Sequence, residues 1–275
     1  MPKDIVKSSR VDGSKEPRGG FDTIGDLAII KPPKNLNAAD VRRLANSIIK
    51  KNKHIRGVFK KIGKIEGIER VQKLVWVCGG KSPLVIHKEN GCSFYVDVKK
   101  VFFTPRLCSE RLRISKLVKP KEIVLDMFCG VGPYSVQIAK RAKKVYAIDI
   151  NPEAIRLLKL NLRLNKLENV KVFVGDSKKV VPKLNEIFDR VIMNFPLNSK
   201  AFLLAAIKAC KETSVIHYYC FVNAKEGYAS GVKIAIKDLM AIIPSHVKVL
   251  RIEDCAAGEV APYLTRTCLD IYLRK

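Results

Sequence analysis

From Thr104 onward the chain alternates in regular order between short apolar runs of β character and longer amphipathic stretches of helical period. The β-type runs cover residues 122–128, 144–150, 170–174, 190–194 and 214–222, and helical patterns fill the gaps, 154–165 and 199–210 among them. Such alternation predicts a parallel sheet, because parallel strands need a crossover and a helix is the usual one. A helix around 232–240 and two further strands, 248–254 and 267–273, end the pattern as a hairpin-like pair. The expected fold class is α/β, a doubly wound, mostly parallel seven-stranded sheet of the Rossmann-like kind with helices on both faces.

The first hundred residues do not share this rhythm. Residues 1–20 carry glycine, serine, proline and charge without periodicity and read as a flexible arm. A turn and short strand follow over 21–30, broken by Pro32 and Pro33. Asn37 or Asp40 can start a helix through Lys50, with Val41, Leu44, Ile48 and Ile49 on one face. Short β-rich runs at 58–61, 71–78, 84–87 and 92–98 are punctuated by glycines. The predicted organisation is an arm (1–20), a small α+β domain (21–100) and a large α/β domain (101–275). With 275 residues, 47% of them hydrophobic, there is material for one sizeable core and a smaller one.

Lysine and arginine number 52 against 26 acids, a formal net charge of +26. That excess points to nucleic acid, with an anionic membrane surface as the weaker reading and a lysine-rich thermophile surface as the bland one. Lys51, Lys53, Arg56, Lys60 and Lys61 in the small domain are candidates to hold phosphates. Eight cysteines occur without a CxxC pair, so no metal site is expected and they read as small core residues in a reducing compartment. His87 and His217 lie in strand patterns and read as structural. No apolar run is long enough to span a bilayer, and the polar amino terminus suits neither signal peptide nor anchor. A soluble, cytoplasmic protein is expected, with a monomer as its favoured state.

One segment carries the first chemical signal. Leu125 to Pro133 (LDMFCGVGP) is a strand running into a glycine turn that opens a helix. Gly130 and Gly132 would let the backbone approach a ligand at the end of the first strand, although such glycines can also merely turn the chain. Three carboxylates strengthen the reading. Asp126 stands at the end of the first strand, Asp149 at the end of the second, nineteen residues after Gly130, and Asp176 at the end of the third. Asp149 is placed to accept two ribose hydroxyls and Asp176 an adenine amino group, while Asp126 can order the loop near a methionine ammonium. The third glycine of a phosphate-binding loop is missing, so an adenosyl ligand without phosphates fits better than a dinucleotide. At the end of the fourth strand, Asn194-Phe195-Pro196 offers an amide that can grip the edge of a planar nitrogenous substrate.

With these residues in view, the sequence resembles the archaeal and eukaryotic family of tRNA (guanine-N1)-methyltransferases that act at position 37, next to the anticodon. The resemblance rests on IHKENGCSFYVDV (86–98), VFFTPRLCSERLRI (101–114), VLDMFCGVGPYS (124–135), YAIDINPEAI (146–155), IMNFP (192–196) and VIHYYC (215–220). It spans about residues 21–275. A sister family, which transfers an aminocarboxypropyl group from the same cofactor during wybutosine synthesis, shares the fold and several motifs. Arg106 and the intact Asn194-Phe195-Pro196 favour the methyltransferase.

The resemblance implies a methyltransferase-type sheet, S-adenosyl-L-methionine as cofactor, and tRNA, met at its anticodon stem-loop, as partner. It implies Glu110 as general base, Arg70 as donor to guanine O6, Arg106 as an orienting group and Asn194 as holder of the guanine edge. It places Phe102, Arg111, Phe128, Ile150 and Ser177 near the cofactor with the three acids. Read from the residues alone, Glu110 and Arg111 are also a surface ion pair on a helix, Arg70 one cation among 52, and Phe102 a core residue. Many archaeal members carry an additional amino-terminal domain; only the short arm precedes Phe21 here, so that domain is not expected. Some relatives methylate carbon-7 of an imidazopurine intermediate at the same nucleotide. That activity, aminocarboxypropyl transfer and a non-catalytic RNA-binding module are the alternatives.

Overall fold

The computed structural model describes residues 20–63, 67 and 69–275, so the expected arm over 1–20 lies, but for Gly20, outside the described residues. The chain forms two compact units that divide between Arg106 and Leu107.

In the first unit, the turn and strand expected over 21–30 is a hairpin of two strands, β1 (Phe21–Ile24) and β2 (Leu27–Ile30). Helix α1 (Ala38–Lys51) crosses over to β3 (Gly57–Lys61), which lies parallel to β2, and β4 (Leu74–Gly79) returns antiparallel. Asn37 starts the helix, its side chain accepting from the Asp40 amide at 2.9 Å. Val41, Leu44, Ala45 and Ile48 then recur on one face and bury against Ala28, Ile30, Val58 and Cys78. Strands β5 (Leu84–Glu89) and β6 (Cys92–Asp97) form a separate two-stranded ladder. Asn90 and Gly91, at φ +48° and +68°, make its tight turn, where both residues need positive φ.

The second unit opens with α2 (Cys108–Leu117). Then come β7 (Ile123–Asp126), α3 (Ser135–Ala139), β8 (Lys144–Asp149), α4 (Pro152–Leu164), β9 (Val170–Val174), α5 (Ser177–Val180) and β10 (Phe188–Met193). The chain continues with α6 (Leu203–Ala209), β11 (Cys210–Asn223), α7 (Tyr228–Met240), β12 (Lys248–Ala261) and β13 (Leu264–Arg274). The sheet order is β12-β13-β11-β10-β7-β8-β9, parallel from β11 to β9 and antiparallel at β13 and β12. The seven-stranded doubly wound expectation is met. Successive residues feed opposite faces, Leu125, Met193 and Tyr218 entering one core and Val124, Ile192 and Tyr219 the other. Strand order reverses at β7, whose neighbours are β8 on one side and β10 on the other. In doubly wound sheets, ligands bind beyond the strand carboxyl ends at such a reversal.

Boundaries differ from the sequence expectation where β11 and β12 lie. The helix expected over 199–210 shrinks to a single tight turn (Ser199–Phe202) and α6, because β11 begins at Cys210. Strand β12, expected to end at 254, runs to Ala261. Strand partners supply the reason: Cys210 pairs with Phe188 of β10, and β13 ladders with β11 from Thr213↔Arg274 to Asn223↔Leu264 and with β12 on its other side. Polar residues that look like loop in isolation are held extended by those partners. Among the described residues, no helix is long and apolar enough to cross a membrane.

Candidate active site

At the end of β7 the chain enters its glycine turn. Gly130 and Gly132 sit at φ +54° and +87°, conformations that side chains resist. A Cβ on Gly132 would also stand 2.3 Å from the Leu158 side chain of α4. The turn is tied to its surroundings by Cys129 N–H donating to Ile148 O (2.9 Å) and by the buried Asn161 amide donating to Val131 O (2.9 Å). Ser177 fastens it from the other side, its hydroxyl donating to Met127 O. A rigid turn of this kind presents its amides without further loss of chain entropy.

The three strand-end acids differ sharply in environment. Asp126 is wholly buried, with Ser135 Oγ donating to its Oδ2 at 2.7 Å. Burial pushes its carboxyl up to about 7, and the Asp149 charge adds to the push, against hydrogen bonds that oppose it. Asp149 is half-buried and accepts one amide on each oxygen, Gly130 N–H on Oδ2 (2.7 Å) and Asn151 N–H on Oδ1 (2.9 Å). These bonds fix the orientation of the carboxylate at the end of β8. Asp176 caps α5 by accepting from Lys178 N–H (2.9 Å).

Asn194 follows β10 directly, half-buried. Past it, Phe195 packs on Phe128 at 5.0 Å between ring centroids, and Phe202 meets both rings at 4.9 and 6.0 Å. Ser199 Oγ closes the segment by donating to Met193 O (3.1 Å) and Phe195 O (2.9 Å). Phe128, anticipated from the sequence, thus belongs to an aromatic trio whose other members, Phe195 and Phe202, were not. Ile150, one residue past Asp149, is exposed.

Helix α2 carries Glu110 and Arg111, and neither is on the surface: they are 6% and 1% exposed. The surface ion pair that adjacency suggests is replaced by a different pairing. Arg113 donates from Nε to Glu110 Oε2 (2.7 Å) and from Nη2 to Oε1 (2.8 Å). Tyr219 on β11 donates its hydroxyl to Glu110 Oε1 at 2.6 Å and receives one from Tyr134 at 3.0 Å. The Cys255 thiol on β12 points at Oε2 from 3.7 Å. On its far side Arg113 donates to both oxygens of Asp270 on β13 (Nη1 2.6 Å, Nη2 3.3 Å).

Asp270 in turn meets His217 Nδ1 at 2.6 Å, and His217 Nε2 meets Arg190 Nη1 at 2.6 Å. Arginine only donates, so Nε2 is the acceptor, Nδ1 carries the hydrogen and the imidazole is neutral. Burial is the largest influence keeping His217 low. For Asp270 burial works upward, yet His217 and Arg113 together hold it well below the usual carboxylate range. Arg190 closes the column on Glu122 (2.8 and 3.0 Å). Cys268 completes a triad with His217 and Asp270 whose ligand-type atoms lie within 4.8 Å. Arg113 and Arg190 already bring positive charge to that carboxylate and imidazole, and would repel a divalent cation. Sequence reasoning missed Arg113, Tyr219, Asp270 and Arg190. For the last three the signal was a charged or polar residue interrupting apolar strands, as in RVIM, HYYC and CLDIYL; Arg113, on α2, carried none of this kind.

The remaining sequence-derived residues belong to the first unit. Arg70, at φ +55°, holds its guanidinium carbon 5.3 Å from the centre of the Phe102 ring. Arg106 donates from Nε to Asp22 Oδ1 (2.7 Å) and Lys61 from Nζ to Oδ2 (2.9 Å). Burial acts upward on Asp22, and the two cations outweigh it to lower its carboxyl.

A seven-stranded sheet with acids at three successive carboxyl ends, beside the reversal of strand order, defines a Rossmann-like domain of the methyltransferase type. The chain belongs to the TRM5/TYW2 methyltransferase family: residues 85–243 match the family described as "TRM5/TYW2 methyltransferase domain". It is 42% identical over 201 residues to the Pyrococcus abyssi tRNA (guanine(37)-N(1))-methyltransferase Trm5b, a match covering 73% of this chain and 59% of that protein. The chain thus spans about three-fifths of the length of that relative. Among solved structures it is similar to aTrm5 in complex with tRNALeu, with a TM-score of 0.79 and 35% identity. That match covers 92% of this chain and 71% of the other. Methanocaldococcus jannaschii TYW2 in complex with AdoMet matches at a TM-score of 0.64 and 25% identity, over 93% and 99% of the two chains.

Proposed function

We propose that this chain carries the catalytic machinery of a tRNA methyltransferase that transfers a methyl group from S-adenosylmethionine to N1 of guanosine 37. The observation that carries the reading is the set of acids at the ends of β7, β8 and β9 with Asn194 beside them. Carboxylates suit the donors of the cofactor: Asp149 is assigned to the ribose hydroxyls, Asp176 to the adenine amino group and Asp126 to the cationic methionine end. The net charge of +26 suits a polyanionic partner, and Lys51, Lys53, Arg56, Lys60 and Lys61 of the first unit are assigned to its phosphates. Eight free cysteines, five of them buried, suit the reducing cytosol to which we assign the protein.

S-adenosylmethionine supplies an electrophilic methyl on its sulfonium. Guanine N1 keeps a proton at neutral pH and is a poor nucleophile until that proton leaves. Asn194 holds the guanine edge. Glu110 takes the N1 proton, the N–H electron pair stays on the ring, and negative charge spreads to O6. The bound cofactor would supply the methyl group to N1, the carbon–sulfur pair being left on sulfur. Three acceptor directions of Glu110 are filled by Tyr219 and Arg113, and the fourth faces the Cys255 thiol, the weakest donor in the set. That direction is the one a substrate N–H takes. Arg70 is our donor to O6; positive φ at a non-glycine residue is a cost that sites of function retain.

Incubation with labelled cofactor and an undermodified tRNA transcript, followed by mass analysis of the nucleosides, tests the proposal. N1-methylguanosine confined to position 37 is expected. An aminocarboxypropyl product, methylation restricted to an imidazopurine carbon, or tRNA binding without cofactor affinity would each overturn it in favour of a different reaction.

A further inference from the structure

A general base needs a fixed direction as well as a free electron pair, and the direction of Glu110 is set by residues that never meet substrate. Its carboxylate is gripped in a bidentate fork by Arg113. The same guanidinium has a second face on Asp270. Asp270 is held by the neutral His217, whose other nitrogen is taken by Arg190, itself bound to Glu122. The column therefore runs from α2 through β13, β11 and β10 to the residue before β7, tying three strands of the sheet to one side chain. Register explains the alignment: His217 pairs directly with Asp270 and Tyr219 with Cys268 across β11 and β13. Tyr219 also stands one step beyond the last β10–β11 pair, Met193↔Tyr218, level with Asn194.

We infer that Arg113, Asp270 and His217 are positioning residues for the N1 proton transfer. Asp270 shares the Arg113 charge, which would otherwise fall wholly on Glu110 and weaken it as a proton acceptor, and His217 fixes Asp270 for that task. The inference rests on the assignment of Glu110 as base. The titratable and charged groups around Glu110 are Arg113 on its own helix, Tyr134 at the start of α3 and Tyr219 and His217 on β11. Cys255 on β12 and Cys268 and Asp270 on β13 complete the set, with Arg111 contributing charge near Tyr134. Among them Asp270 is the anion bound to Arg113 opposite Glu110, so its removal has a defined sign. With Asp270→Asn, all of the Arg113 charge acts on Glu110, favours its ionised form, and moves the acid limb of the pH–rate profile to lower pH. With Arg113→Gln, that charge is gone and the limb moves to higher pH.

Single-turnover rates of the full chain on tRNA, measured from pH 5 to 9 with saturating cofactor, are the test. Asp270→Asn should slow the step by roughly 10–100-fold, part of what a positioned general base contributes, with cofactor affinity unchanged. Its acid limb should shift opposite to that of Arg113→Gln. His217→Asn, which can still donate to Asp270, should recover most of the rate that His217→Leu loses. Should Asp270→Asn or Arg113→Gln fail to fold, Arg113→Lys decides the matter, since it keeps the charge and loses the two-faced fork; it should slow the step without moving the limb far. Folded Asp270→Asn or Arg113→Lys protein with unchanged rate and limb, alongside an inactive Glu110→Gln, overturns the positioning role alone. Full rate in Glu110→Gln removes the base assignment and this inference with it.

Discussion

The carboxyl edge of the seven-stranded sheet and the column beneath α2 are both built from acids, yet they treat them in opposite ways. At the edge, Asp149 and Asp176 accept from backbone amides and are partly exposed. In the column, Glu110 and Asp270 lie 6% and 2% exposed among arginine, histidine, tyrosine and cysteine donors. A partly exposed acid can meet a ligand that comes and goes. A buried acid gripped by a guanidinium and hydroxyl or imidazole donors is held in one direction, and removing its partner leaves an uncompensated group that costs several kcal/mol. On the proposed assignments, ligand binding falls to the edge and proton transfer to the column, so substitutions in the two regions should separate affinity from rate and stability.

The largest effect should come from Glu110→Gln. The amide keeps the volume, so cofactor and tRNA affinity should hold while the chemical step slows by roughly 10²–10⁴-fold. The loss should shrink as pH rises, because more guanine then ionises unaided. Arg70→Ala should stay slow at high pH, with charge on O6 still unmet. Single-turnover measurements across pH distinguish the two patterns, and a Glu110→Gln rate equal to that of the parent would make the carboxylate purely structural.

The sharpest contrast between edge and column is in stability. His217→Leu strands Asp270 and Arg190, and should lower unfolding free energy by about 3 kcal/mol as buried charged groups lose partners, with cofactor affinity little changed. Asp149→Ala should do the reverse, weakening cofactor binding by about 1.5–3 kcal/mol for hydrogen bonds to a charged acceptor while the fold persists. Calorimetric binding and urea unfolding on both variants measure the four quantities. A comparison breaks down if Asp149→Ala unfolds the protein or His217→Leu abolishes binding.

Acid–base behaviour should divide the regions too. Asp126 is raised from its ordinary 3.8 to about 7, so its folded form holds a proton that the unfolded chain releases. Its contribution to stability is complete below about pH 4 and is lost as pH rises toward 7. His217 and Asp270 are both lowered, from ordinary values of 6.5 and 3.8. Their contributions are present above those values and are lost as pH falls, His217 first. Urea unfolding at closely spaced pH should show Asp126→Asn removing the decline toward neutrality and leaving the acid loss in place. A cationic ligand group favours ionised Asp126, so cofactor affinity should rise with pH through 7 in the parent and stay level in Asp126→Asn. The smallest effect is expected of Cys255→Ala, which removes only a weak thiol donor: the rate should stay within about twofold, a slight gain included. A large loss there would mean that substrate reaches Glu110 by another direction.

Reading the residues in order found the strand–helix alternation, the glycine turn and the acids at the ends of β7, β8 and β9, because each is a local pattern. Period-two burial, a turn that needs positive φ and a carboxylate just past an apolar run all lie within a few neighbouring residues. The family resemblance added Glu110, Arg70 and Phe128, which no local pattern singles out. Neither route reached the column. Glu110 looked like a partner for the adjacent Arg111, whereas helical geometry turns it toward Arg113, three residues on and over the same face.

Asp270 lies 157 residues from Arg113 and 53 from His217, and Tyr219 lies 109 from Glu110. Such pairs exist only once β11, β13 and β10 have chosen their register, since a slip of one residue would turn His217 and Asp270 to opposite faces. The same dependence stretched β11 back to Cys210 and β12 on to Ala261, where sequence alone suggested helix and loop. What the sequence determined by itself is the sheet, its helices and the acids at its edge, all consequences of side-chain period along a short stretch of chain. Tertiary structure alone decided which buried charges would meet, because a hydrogen-bond partner across strands is a property of register and not of either strand.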